Sequence, residues 1–70
     1  MKKRSVTIAG HRTSISLEEP FWDALREMAE SRGQTLAGKI GMIDKKRGHA
    51  NLSSAIRLHI LDFYRKSLSK

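Results

Sequence analysis

The chain has no cysteine, a single proline, one tryptophan, one tyrosine, and only seven acidic residues against fourteen lysines and arginines. Without cysteine there can be no disulfide and no thiolate metal site. That matters because 70 residues lie near the size at which one hydrophobic core is marginal, and such chains usually need a disulfide, a metal or a partner subunit. Oligomerisation is the remaining aid. Long hydrophobic runs are also missing: uninterrupted apolar stretches stop at two or three residues, so no membrane span is expected. The basic start "MKKRSVTIAGHRTS" is not followed by the apolar stretch of a signal peptide, and no export signal is expected. These absences suit a reducing cytoplasm, the expected location.

The shortage of acid leaves a formal net charge of +7 and a pI near 10.4. A small domain this basic is expected to meet a polyanion, nucleic acid foremost. A plain solubility charge is the bland alternative. An amphipathic role at anionic membranes fits poorly, because the positive charge is dispersed along the chain and not gathered on one helix.

Residues 1–10 read as a basic arm: "MKKR", then the extended, β-branched "SVTIAG" ahead of the breaker Gly10. From Arg12 to Leu17 polar and apolar side chains alternate, which predicts a strand. Thr13, Ile15 and Leu17 fall on one face, Arg12, Ser14 and Ser16 on the other. Val6 and Ile8 are even-numbered while Ile15 and Leu17 are odd-numbered. One flat strand would place those pairs on opposite faces, so a bulge or bend near Gly10 is expected.

The apolar spacing then becomes helical. Pro20 suits a first helical turn, where its missing N–H had no partner, and Glu18 and Glu19 suit the positive end of the helix dipole. Trp22, Leu25, Met28 and Ala29 form the buried stripe, and Gly33 is the expected stop. An extra helical segment is expected over about 35–48, with Leu36, Ile40 and Ile43 on one face. Gly38 and Gly41 each cost about 1 kcal/mol there relative to alanine, so it depends on tertiary contacts. Lys45, Lys46 and Arg47 crowd its end and read as a solvated terminus. Asn51 is the expected N-cap of the last helix. That helix is apolar on two faces, one with Leu52, Ala55, Ile56, Ile60 and Phe63, the other with Leu58, Leu61, Tyr64 and Leu68. Two apolar faces want two neighbours, and a second copy of the chain is the best source of the outer one. A second copy also solves the lone strand: two strands related by a two-fold axis would pair antiparallel into a ribbon packed on helices.

Strand, helix, and a helix with a small polar cap follow the order of the ribbon-helix-helix transcription factors, the family of the Arc and methionine repressors. The segments "RTSISLEEPFWDALREMA" and "NLSSAIRLHILDFYR" carry the resemblance. It looks closest to a short bacterial subgroup with an extra helical segment between the two main helices; simpler members turn from one helix to the other within a few residues. The resemblance implies a mainly α fold with one short strand, in which residues 11–70 form the domain and the two-stranded antiparallel ribbon is made between two chains. It further implies a DNA-binding homodimer, a repressor or regulator, whose ribbon enters the major groove. Arg12, Ser14 and Ser16 would then read base edges, while the amides at Leu52 and Ser53 behind Asn51 would grip a phosphate. The residue chemistry suits both roles: arginine bonds guanine bidentately, hydroxyls pair with several bases, and free amides at a helix start attract anions. The alternative is a protein–protein adaptor or antitoxin-like module that keeps the dimer fold and has a protein partner.

Other chemistries find little support. His11, His49 and His59 do not fall within a helical turn of one another, so no metal site is assigned. His59 reads as a core or interface residue, and His11, beside Arg12, as an aid to phosphate binding. "GQTLAGKI" matches G-x-x-x-x-G-K through Gly33, Gly38 and Lys39, but Ile40 replaces the Ser or Thr that magnesium needs and no strand leads in. No spacing suggests a catalytic triad. Neither catalysis nor a cofactor is expected.

Overall fold

The computed structural model describes residues 1–48 and 51–68. Two strands, β1 (Lys2–Ile8) and β2 (His11–Leu17), are followed by helices α1 (Glu19–Ser31), α2 (Leu36–Lys46) and α3 (Leu52–Leu68). The helices start and stop where the pattern predicts. Gly33 takes φ +67 just past α1, the left-handed position that favours glycine at a helix end. Asn51 Oδ1 accepts from the Ser54 amide at 2.8 Å and caps α3.

The N-terminal reading needs correction. Among the described residues there are two strands, not one, and the first lies within the basic segment 1–10. β1 pairs antiparallel with β2 in the same chain, in a register that sets Lys3 opposite Ser16, Ser5 opposite Ser14 and Thr7 opposite Arg12. The link is a two-residue turn in which Ala9 has φ 52 and Gly10 φ 80. Positive φ at both central residues is the type I′ hairpin geometry, whose twist matches that of the strands. This turn also resolves the parity conflict: across it an even-numbered residue always faces an odd-numbered one. Val6 and Ile8 therefore share a face with Ile15 and Leu17, and no bulge is needed.

That shared face closes a core. Ile15 and Leu17 from β2 are buried together with Trp22, Leu25, Met28 and Ala29 from α1, Ile40 and Ile43 from α2, and Ile56 and Ile60 from α3. Helix α3 packs against β2 and α2 against β1. One glycine of α2 has a use here. A Cβ on Gly38 would stand 3.0 Å from Thr35 Oγ1, the hydroxyl that caps the helix. Trp22 ties hairpin to helix: its Nε1 donates to the Lys2 carbonyl oxygen at 2.9 Å, and the Arg4 guanidinium lies 5.5 Å from the ring.

His59 is half-buried, as a core or interface position requires. Burial pushes its pKa below the ordinary value, Lys39, Lys46 and Arg32 push the same way, and Asp62 opposes them. His49 lies outside the described residues.

Two outcomes follow. No atom lies within 4 Å of a Cβ built on Gly10, so Gly10→Ala should lose about 1–2 kcal/mol from backbone strain alone, whereas Ala9→Asn, a residue at ease in this turn, should raise the melting temperature. Stability should also fall on mild acidification. The unfolded chain protonates His59 at about 6.5 while the folded chain resists, so the contribution is complete above that pH and shrinks below it until folded His59 also protonates. Urea melts at pH 7.5 and 5.5 should differ for the native chain, and His59→Gln should narrow the difference.

Candidate nucleic-acid interface

The hairpin has one apolar face and one polar face. Because opposed residues share a side, the register places Lys3, Ser5, Thr7, Arg12, Ser14 and Ser16 together away from the core. All are exposed except Ser16, which is half-buried. The three strand residues singled out from the sequence, Arg12, Ser14 and Ser16, are thus neighbours on one surface. Lys3, Ser5 and Thr7 were missed. They form the other half of it, and their signal was the "KRSVTI" alternation, which becomes legible once Ala9-Gly10 is read as a two-residue turn.

This surface is built of small hydroxyls with a cation toward either end. Serine and threonine offer both donors and acceptors, and Lys3 and Arg12 offer charge. No bulky side chain keeps a partner away from the strand backbone. The opposite side of the sheet anchors it, for Ile15 and Leu17 are almost wholly inaccessible. A groove-sized polyanion can meet this face without disturbing the core.

The start of α3 is a second feature. The Ala55 amide bonds the Asn51 carbonyl at 3.0 Å, and Asn51 Oδ1 takes the Ser54 amide. The Leu52 and Ser53 amides come before the first intrahelical donor and have no acceptor one turn back. They point along the positive end of the helix dipole. Asn51, Leu52 and Ser53 lie together here, on a different element from Arg12, Ser14 and Ser16.

An interaction not foreseen from the sequence ties α3 to the hairpin. Arg57 Nε donates to Glu18 Oε1 at 3.0 Å, and the guanidinium lies 6.0 Å from the Phe21 ring. Glu18 joins β2 to α1, so this ion pair sets α3 against the strand that carries Arg12. A hydrogen bond from backbone and then the Arg57 guanidinium hold the Glu18 carboxyl below its usual range. The basic end of α2 is divided: Arg47 pairs with Asp44, while Lys45 and Lys46 are exposed. Among the described residues, no group of three His, Asp or Glu side chains is placed to hold a metal, and no helix is long and apolar enough to cross a membrane.

Between α1 and α3 lies an apolar surface. Leu58 and Leu61 of α3 are 62% and 52% exposed. They line a groove with Tyr64 and with Pro20, Phe21 and Ala24 of α1. This is the second apolar face of α3, and it is open among the described residues.

No curated protein and no solved structure matches the chain. The sequence profile of the ribbon-helix-helix domain matches residues 1–64, a span that takes in the hairpin, α1, α2 and most of α3. With that extent of match, the chain belongs to the ribbon-helix-helix family of DNA-binding regulators.

Proposed function

We propose that the protein is a homodimeric, sequence-specific DNA-binding repressor or regulator of the bacterial cytoplasm, with no catalytic activity. The observation that carries this reading is the outward face of β2. Arg12, Ser14 and Ser16 stand on it, backed by the buried Ile15 and Leu17, on a ribbon of the width a major groove accepts. Arg12 bonds a guanine edge and the two serines adapt to neighbouring bases. The Leu52 and Ser53 amides, ordered by the Asn51 cap, hold a backbone phosphate and set the register of the ribbon.

The dimer forms on the β2 side of the molecule. β2 has its β1 partner along one edge, and the other edge meets the same edge of a second chain about a two-fold axis. The exposed Leu58 and Leu61, with Pro20 and Phe21, lie on that side because α3 packs against β2 and α1 continues from it. Strand pairing and apolar burial then occur in one interface. An adaptor that keeps this dimer would bind its protein partner on another surface and leave the polar face idle.

Substitutions on the two faces of β2 separate these readings. Arg12→Ala should leave the melting temperature nearly unchanged, because the side chain is exposed. On the preferred DNA site it should cost about 1–3 kcal/mol, with little loss on scrambled DNA. Ile15→Ala should instead cost about 2–5 kcal/mol of stability and lose binding to both. In the native chain the melting temperature should rise with protein concentration, since association is linked to folding. Equal loss on both DNAs for Arg12→Ala would make Arg12 a phosphate ligand. No effect on either would favour the adaptor.

A further inference from the structure

The surface opposite the core is made by two strands, and base reading by β2 uses one. We propose that β1 is a phosphate clamp: its outward Lys3, Ser5 and Thr7 bind the DNA backbones at the two walls of the groove while β2 reads the bases between them. This rests on the DNA-binding dimer proposed above and assigns a separate role to residues which that dimer otherwise leaves unused.

Charge and apolar exposure place β1 outermost in the dimer. β1 carries three consecutive cations, Lys2, Lys3 and Arg4. Two copies of β1 paired edge to edge would place six cations along one seam, three toward either end. Lysine on an edge strand is a common device against such pairing. β2 carries only Arg12 as a full cation, and α3, which carries the exposed Leu58 and Leu61, packs against it. Two β2 strands therefore meet at the two-fold axis, and the order across the dimer is β1, β2, β2 of the second copy, β1 of the second copy.

Spacing then assigns the roles. Neighbouring strands lie about 4.8 Å apart. The two β2 backbones fall about 2.4 Å either side of the axis and the two β1 backbones about 7.2 Å, so the outer strands are separated by about 14 Å. A major groove is about 12 Å wide. The central pair fits inside it. The outer pair does not, and meets the sugar-phosphate walls. The chemistry of β1 suits that position: Lys3 is exposed and shares the outward side with the hydroxyls of Ser5 and Thr7, a set that bonds phosphate oxygens and discriminates poorly among bases. Lys2 and Arg4 lie on the other side of the strand, where Lys2 pairs with Glu19 at 3.8 Å and Arg4 covers Trp22. Lys3 is thus the one residue of the basic triplet facing the nucleic acid.

The test is the salt dependence of binding to preferred and scrambled DNA for the native chain, Lys3→Gln and Lys3→Arg, each first shown to melt as the native chain does. Lys3→Gln should weaken both DNAs by the same factor and flatten the log–log salt slope by about 1.8, because each of the two copies then neutralises one phosphate fewer. Lys3→Arg should restore both quantities. An unchanged slope and affinity in Lys3→Gln would overturn the clamp. So would a loss confined to the preferred site, which would make β1 a base reader. If the native chain shows no salt-dependent DNA binding, the DNA-binding reading itself fails, an outcome separate from the other two.

Discussion

The make-up of the exposed hairpin face depends on the register of its two strands. A two-residue turn at Ala9-Gly10 makes each even-numbered strand residue face an odd-numbered one, and strand side chains alternate sides. Together these two facts sort the residues of both strands into two groups. Val6, Ile8, Ile15 and Leu17 go to the core, and Lys3, Ser5, Thr7, Arg12, Ser14 and Ser16 go away from it. A slip of one residue would exchange the groups on the slipped strand. Burial of Ile15 and Leu17 opposes that slip, and the bond from Trp22 Nε1 to the Lys2 carbonyl holds the far end of β1 against α1. The polar face is exposed because the apolar face is locked.

The extra helical segment belongs to the same scheme. α2 packs against β1, α1 and α3, so it supports the strand that a shorter connection between α1 and α3 would leave without a helix of its own. Its two glycines, unfavourable for an isolated helix, are tolerated because Ile40 and Ile43 are buried. Thr35 offsets part of the cost by accepting the Gly38 amide at 3.0 Å. A polar hairpin face, an apolar groove between α1 and α3 and a buttress against β1 are thus built from different parts of a small protein.

Much of this was legible in the sequence where a period was long enough to count. The Trp22, Leu25, Met28 and Ala29 stripe, the Gly33 stop and the Asn51 cap each rest on a local rule, and each helix lies where its rule places it. The outward and inward sets of β2 were legible from alternation alone. The second strand was not, for a physical reason: alanine is a poor marker for a position with positive φ, so Ala9-Gly10 lacked the Asn-Gly signature of a tight turn, and the parity of Val6 and Ile8 looked like a bend. Seen from the hairpin, that parity is what a two-residue turn requires. The Arg57–Glu18 ion pair joins residues 39 positions apart, and no local pattern could have announced it. Of the polar hairpin face, half was visible before the fold, namely Arg12, Ser14 and Ser16. Lys3, Ser5 and Thr7 became visible only through their partners across the sheet.

The central claim is that two copies of this chain present the β2 faces symmetrically to a specific DNA sequence. Selection of bound sequences from random duplex DNA by the full-length protein measures this most directly. Two β2 faces related by a two-fold axis should enrich an inverted repeat, since the symmetry of a site mirrors that of the dimer reading it. Recovery of sequences no different from the starting pool would contradict the account.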